Sequence, residues 1–93
     1  MLAQGAAREF IRAPGGEITL RLLKPGDAYG LVPLVDGKGN ATSLVTLQTC
    51  EFLVVTGANF RAILQHHPEV FRDAMDHLCR EARQAYLWIA TLA

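Results

Sequence analysis

The sequence predicts an α+β fold, antiparallel strands first and helices last. Three observations point there. The first half holds short runs that alternate polar and apolar residues or are rich in β-branched ones, punctuated by glycine, proline and asparagine. In the last third the alternation stops, and apolar residues recur instead at spacings of three and four. Between two of the strand-like runs lies KPGDAYGLVPLVDGKGNATS, residues 24–43, whose composition is unlike either neighbour. This stretch alone looks built for a ligand.

Residues 1–7 are small and weakly patterned, with Gln4-Gly5 as a turn. Arg8-Glu9-Phe10-Ile11-Arg12 reads as the end of a strand, Ala13-Pro14-Gly15-Gly16 as a hairpin connection, and residues 17–23 alternate with period two before turning fully apolar. Together they predict an antiparallel hairpin. Pro25-Gly26-Asp27 is a turn signal, because proline pre-sets φ for one turn position and glycine accepts the positive φ that other residues resist. A short aromatic strand is expected around Tyr29. Leu31-Val32-Pro33-Leu34-Val35 is too short for a full helix and too apolar for a surface loop, so it predicts one buried helical turn.

The start of that turn, preceded by Gly30 and followed by Asp36-Gly37-Lys38-Gly39-Asn40, would present unpaired backbone N–H groups around a small concavity. Such a place suits an anion, a phosphate above all. The candidate ligand residues are Gly30, Leu31 and Val32, through their backbone, with Lys38, Asn40, Thr42 and Ser43. The plainer alternative is a turn in which Lys38 is solvated and Thr42 and Ser43 simply begin a strand, where threonine is common.

Residues 42–47 and 50–55 are two β-rich runs joined by Gln48-Thr49, a loop of hairpin length. Thr56 is a plausible N-cap, and Phe60, Ile63 and Leu64 at helical spacing predict a short helix over residues 58–66. The break at His67-Pro68 suits a new helix, since the N–H that proline lacks would be unpaired in a first turn anyway. From Pro68 to about Leu92 nothing interrupts it, for a length of about 37 Å at 1.5 Å per residue. On it Phe71, Ala74, Leu78, Ala82, Ala85, Ile89 and Leu92 form a seam, which Met75, Tyr86 and Trp88 widen. The i,i+4 pairs Arg72–Asp76 and Asp76–Arg80 fall outside it. We read this as a dimerisation helix whose interface is Phe71, Ala74, Leu78, Ala82, Ala85 and Ile89.

In order and spacing, the turn at Pro25-Gly26-Asp27, the aromatic-glycine pair Tyr29-Gly30, the apolar turn and the Gly39-Asn40-Ala41-Thr42-Ser43 exit resemble the cyclic-nucleotide-binding domain of CRP/FNR-type transcription regulators. In that family this segment is a phosphate-binding cassette inside a β jelly roll. The resemblance covers roughly residues 4 to 90. Two positions depart from the family pattern: Leu31 stands where a glutamate binds the ribose, and Asn40 where an arginine pairs with the phosphate. A neutral asparagine cannot supply the two charge-assisted hydrogen bonds of an arginine, so the departures imply lost or altered cyclic-nucleotide binding.

The resemblance further implies a partial antiparallel jelly roll with its short helix over residues 1–67, then a dimerisation helix over residues 68–93. Its upstream strands would precede Met1, which leads us to expect either a piece of a longer product or a tight dimer that covers the open sheet. The expected role is a regulatory ligand-sensing module; a ligand-free structural dimerisation domain is the alternative. The ligand would be a cyclic nucleotide or another phosphate-bearing small molecule, with no further cofactor.

Composition sets the remaining expectations. The 93 residues make one domain at most, and a chain this size buries about two-thirds of its surface at best. Hydrophobic content of 51% against 19% charged residues argues for an apolar surface meant for a partner. Net charge is zero, so no global field favours nucleic acid or an anionic membrane. No secretory signal or spanning apolar run occurs, and Cys50 and Cys79 fall on different predicted elements, which together suggest a reduced cytoplasmic protein. His66, His67, His77 and Cys79 diverge around helices, so no metal site is expected. Neither cysteine has a sequence cue for a base, and no Gly-x-Ser-x-Gly elbow occurs, so no enzyme is expected.

Overall fold

The computed structural model describes residues 1–92. In chain order the elements are β1 (Leu2–Gln4), β2 (Ala7–Ala13), β3 (Gly16–Leu23), α1 (Leu31–Asp36), β4 (Ser43–Thr46), β5 (Glu51–Phe52), α2 (Gly57–His66) and α3 (Pro68–Leu92). They fall into two compact units, Met1–Val55 and the segment from Thr56 onward. The architecture is α+β, antiparallel sheets followed by helices, as the sequence predicts.

The first unit is built on the β2–β3 hairpin, which closes at Ala13 opposite Gly16. Moving away from the turn, Phe10 faces Thr19, but a bulge shifts the next pair so that Glu9 faces Arg21. β4 pairs antiparallel with the other edge of β2, giving the order β3-β2-β4. β1 and β5 form a separate antiparallel pair, Leu2 opposite Phe52. The expected hairpin across Gln48-Thr49 is therefore absent. β4 and β5 each pair with an earlier strand, because β1 and β2 offer longer-range partners.

The three-residue β1 lies within the segment read from sequence as weakly patterned. Tertiary hydrogen bonds hold it: Leu2 N–H donates to Asp27 C=O (2.9 Å), Gly26 N–H to Leu2 C=O (2.8 Å) and Leu53 N–H to Met1 C=O (2.9 Å). Gly5 then turns the chain into β2 at φ 103°. A Cβ there would stand 2.6 Å from the Thr49 carbonyl oxygen and 2.7 Å from the Cys50 Sγ, so only glycine lets the 49–50 loop approach.

Side chains alternate across the sheet. The inner face carries Leu2, Ala7 and Leu23 as a small dry core, with Tyr29, Leu44, Cys50 and Phe52 packed against it. Cys50 is a free thiol directed at the Ala6 carbonyl (3.2 Å). On the opposite face Phe10 is buried beneath the Arg8 guanidinium, 4.6 Å from its ring centroid, and Arg8 also pairs with Glu17 at 2.8 Å.

Two local expectations fail. Tyr29 lies in irregular chain, without a strand around it. The apolar turn is helical, as α1, but it has no buried residue, and Val32 and Val35 are 45% and 50% exposed. Six residues without capping side chains present one flank to the protein and the other to solvent.

In the second unit Thr56 caps α2, its hydroxyl accepting from Asn59 N–H at 3.2 Å. α3 runs unbroken over 25 residues. Ala74 is buried, and Val70, Met75, His77, Leu78, Glu81 and Trp88 are half-buried. Phe71, Ala82, Ala85, Tyr86, Ile89 and Leu92 are exposed. His77 Nε2 lies 2.9 Å from Glu81 Oε1 on the covered side.

Candidate ligand-binding cassette

The cassette begins at a turn locked by one side chain. The Asp27 carboxylate accepts Lys24 N–H at 2.9 Å and lies 3.5 Å from Lys24 Nζ. The backbone hydrogen bond from Lys24 is the main reason the Asp27 carboxyl sits below its ordinary range; partial burial opposes it, and the charges of Lys24 and Arg21 assist. Gly30, at φ 85°, takes the left-handed conformation that swings the chain into α1. Gly37, also left-handed, ends α1 by donating its N–H to the Pro33 carbonyl at 2.9 Å. Beyond it Lys38 N–H donates to Asp36 Oδ1 at 2.8 Å, and residues 35–41 are exposed.

The two ends of this loop meet over a polar cluster. Tyr29 Oη donates to the Thr42 carbonyl at 3.1 Å, so residues 29 and 42 are tied directly. Thr42 Oγ1 donates to Glu9 Oε2 at 2.8 Å and lies 3.4 Å from Tyr29 Oη. The other Glu9 oxygen accepts from Arg21 Nε at 2.6 Å, and Arg21 Nη2 donates to the Ala28 carbonyl just upstream of the cassette. Glu9 is only 9% exposed. A carboxylate this covered is tolerated because both oxygens are hydrogen-bonded and one faces a guanidinium.

The sequence-predicted ligand residues are thus divided. Thr42 sits at the closed base, half-buried and hydrogen-bonded. Ser43 opens β4 opposite Phe10. Gly30 and Leu31 are half-buried at the start of α1, and Val32 is exposed. Lys38 and Asn40 are exposed. Sequence reasoning missed Glu9, Arg21 and the hydroxyl of Tyr29. The available signal was a charged residue at an inward position of an alternating strand, since Glu9 shares its parity with Ala7.

Among the described residues no group of three or more His, Cys, Asp or Glu could hold a metal ion, and no helix is long and apolar enough to cross a membrane. The arrangement offers a short exposed loop on a fixed base, with backbone donors at its first turn and a hydroxyl and a guanidinium below.

Comparison with known proteins agrees with this geometry. The family model for the cyclic nucleotide-binding domain matches residues 1–67, a span that contains the whole cassette. The Cyclic AMP receptor protein of Thermus thermophilus is 31% identical over 94 aligned positions, covering 100% of this chain and 44% of that protein. The crystal structure of Thermus thermophilus Catabolite Activator Protein superimposes with a TM-score of 0.88, at 31% identity, over 99% of this chain and 44% of that one. The chain therefore spans less than half the length of these relatives. With a family model over most of its length and a solved relative sharing its fold, this chain belongs to the cyclic nucleotide-binding domain family and is of the CRP/FNR-like kind.

Proposed function

We propose that this chain is the ligand-sensing and dimerising part of a CRP/FNR-like regulator, and that its cassette takes a cyclic nucleotide or another small molecule bearing a phosphate. Residues 1–67 hold the ligand and residues 68–93 pair with a second copy. The observation that carries this reading is the cassette base, where Tyr29 joins both ends of the loop and Thr42 and Arg21 bind the two oxygens of Glu9. Gly30, Leu31 and Val32 supply backbone donors, with Thr42 and Ser43 behind them. Lys38 and Asn40, at the exposed tip, reach the ligand only if the loop folds over it. The module works in the cytoplasm, performs no catalysis and makes no direct nucleic-acid contact through this stretch.

The relatives' names support a nucleotide as the ligand class: one is called a cyclic AMP receptor. Signal transfer follows as a population shift, in which occupancy of the cassette biases how two α3 helices pair. A second reading, a structural dimerisation domain with an empty cassette, is favoured by Leu31 and Asn40 standing where the family's charged ligand groups stand. Isothermal titration of the purified chain with cyclic AMP and cyclic GMP separates the two. The expected result is saturable binding at one nucleotide per chain; a folded dimer that ignores every nucleotide would select the structural reading.

A further inference from the structure

We propose that Glu9 is a built-in competitor for the anionic ligand of this cassette, and that Arg21 is the cation which takes over the ligand's phosphate when Glu9 lets go. The proposal rests on the cassette reading above and adds the group that supplies the missing positive charge.

The argument starts from what Glu9 receives. One carboxylate oxygen accepts the Arg21 Nε–H at 2.6 Å and the other accepts the Thr42 hydroxyl at 2.8 Å. A guanidinium N–H and a hydroxyl converging on two oxygens of one anion are what a phosphodiester would receive at the same place. The protein's own carboxylate thus fills an oxyanion position at the base of the cassette, beside both ends of the loop. Asn40, two residues from Thr42, is exposed and carries no charge, so it supplies no cation to this cluster. Arg21 is the guanidinium that does, and about a quarter of its side chain remains accessible (26%).

The register makes the placement specific. Continued straight from the hairpin turn, the β2–β3 pairing would set Glu9 against Leu20 and Arg8 against Arg21. The bulge between Glu9 and Phe10 instead brings Glu9 opposite Arg21. An anion that binds Arg21 and Thr42 must first displace Glu9, and its apparent affinity falls by the fraction of time the pair is open. Tyr29 Oη, which lies near the Thr42 hydroxyl and bonds its carbonyl, passes that displacement on to the loop ends.

The test compares cyclic AMP titrations of the unaltered chain, Glu9→Gln, Arg21→Gln and the double variant. Glutamine keeps the size of the side chain and one acceptor for Thr42 while removing the competing charge. Glu9→Gln is expected to bind cyclic AMP at least tenfold more tightly, and adding Arg21→Gln is expected to abolish that gain. Binding by the unaltered chain with no gain in Glu9→Gln, or a gain that survives loss of Arg21, would overturn the proposal while leaving the cassette reading intact. Failure of both the unaltered chain and a folded Glu9→Gln variant to bind would overturn both. The unaltered chain gives a readout independent of variant folding. At saturating cyclic AMP the Arg21 Nε–Hε and Glu9 Cδ NMR signals are expected to move, and both staying fixed with nucleotide bound would overturn the proposal.

Discussion

Gly5 carries more of the fold than its size suggests. Its positive φ and its contact with the 49–50 loop leave no room for a side chain, with the Thr49 carbonyl oxygen 2.6 Å from where a Cβ would stand. Gly5→Ala is expected to lose about 2–4 kcal/mol, through strain at positive φ plus displacement of that loop. Chemical denaturation measures it; an unchanged midpoint would show that the loop yields without cost. Asp27 acts through charge instead. Its folded-state pKa lies below the unfolded value, so its contribution is present above about pH 3.8 and fades as pH falls through the lowered pKa. Asp27→Asn is expected to flatten the loss of thermal stability in that acid range, and a slope identical to the unaltered chain would contradict it. Gln4-Gly5 and Pro25-Gly26-Asp27 were legible as turns because glycine and proline declare their backbone needs locally. The Glu9–Arg21 pair was not, since it depends on a bulge that local alternation does not reveal.

At the scale of elements, α3 carries two overlapping apolar stripes. Phe71, Leu78, Ala85 and Leu92 belong to both, one completed by Ala74 and Trp88 and interrupted by Glu81, the other by Met75, Ala82 and Ile89. The first side is the more covered, and most of the second is open, with Ala82 exposed and Ile89 65% exposed. The helix itself, and its start at Pro68, were legible from spacing and from proline's tolerance of a first turn. Which side is covered was not, because the shared positions fit both. Ile89→Glu is expected to weaken self-association at least tenfold in sedimentation equilibrium while leaving helix content unchanged by circular dichroism. An unaltered association constant would remove the open stripe from the dimer interface. The strands show the same division. The β2–β3 hairpin was legible because its turn lies between its strands. The pairing of β1 with β5 spans most of the first unit, whereas the hairpin length of Gln48-Thr49 points locally to a β4–β5 pair.

For the molecule as a whole, we propose that occupancy of the cassette reaches the pairing of α3. The first unit supplies a loop tied at its base, and the second a long helix with an open apolar stripe. The cyclic nucleotide-binding domain model covers residues 1–67, and a solved relative matches the chain with a TM-score of 0.88. The family was legible from the frame of the cassette. The Arg21–Glu9 pair was not, because both residues lie outside that frame. The most direct measurement is amide hydrogen exchange with and without saturating cyclic AMP, followed by mass spectrometry across the chain. The expected result is slower exchange over residues 30–43 together with altered exchange in Pro68–Leu92. Exchange unchanged in both segments, or slowed in the cassette with α3 unaffected, would contradict the coupling.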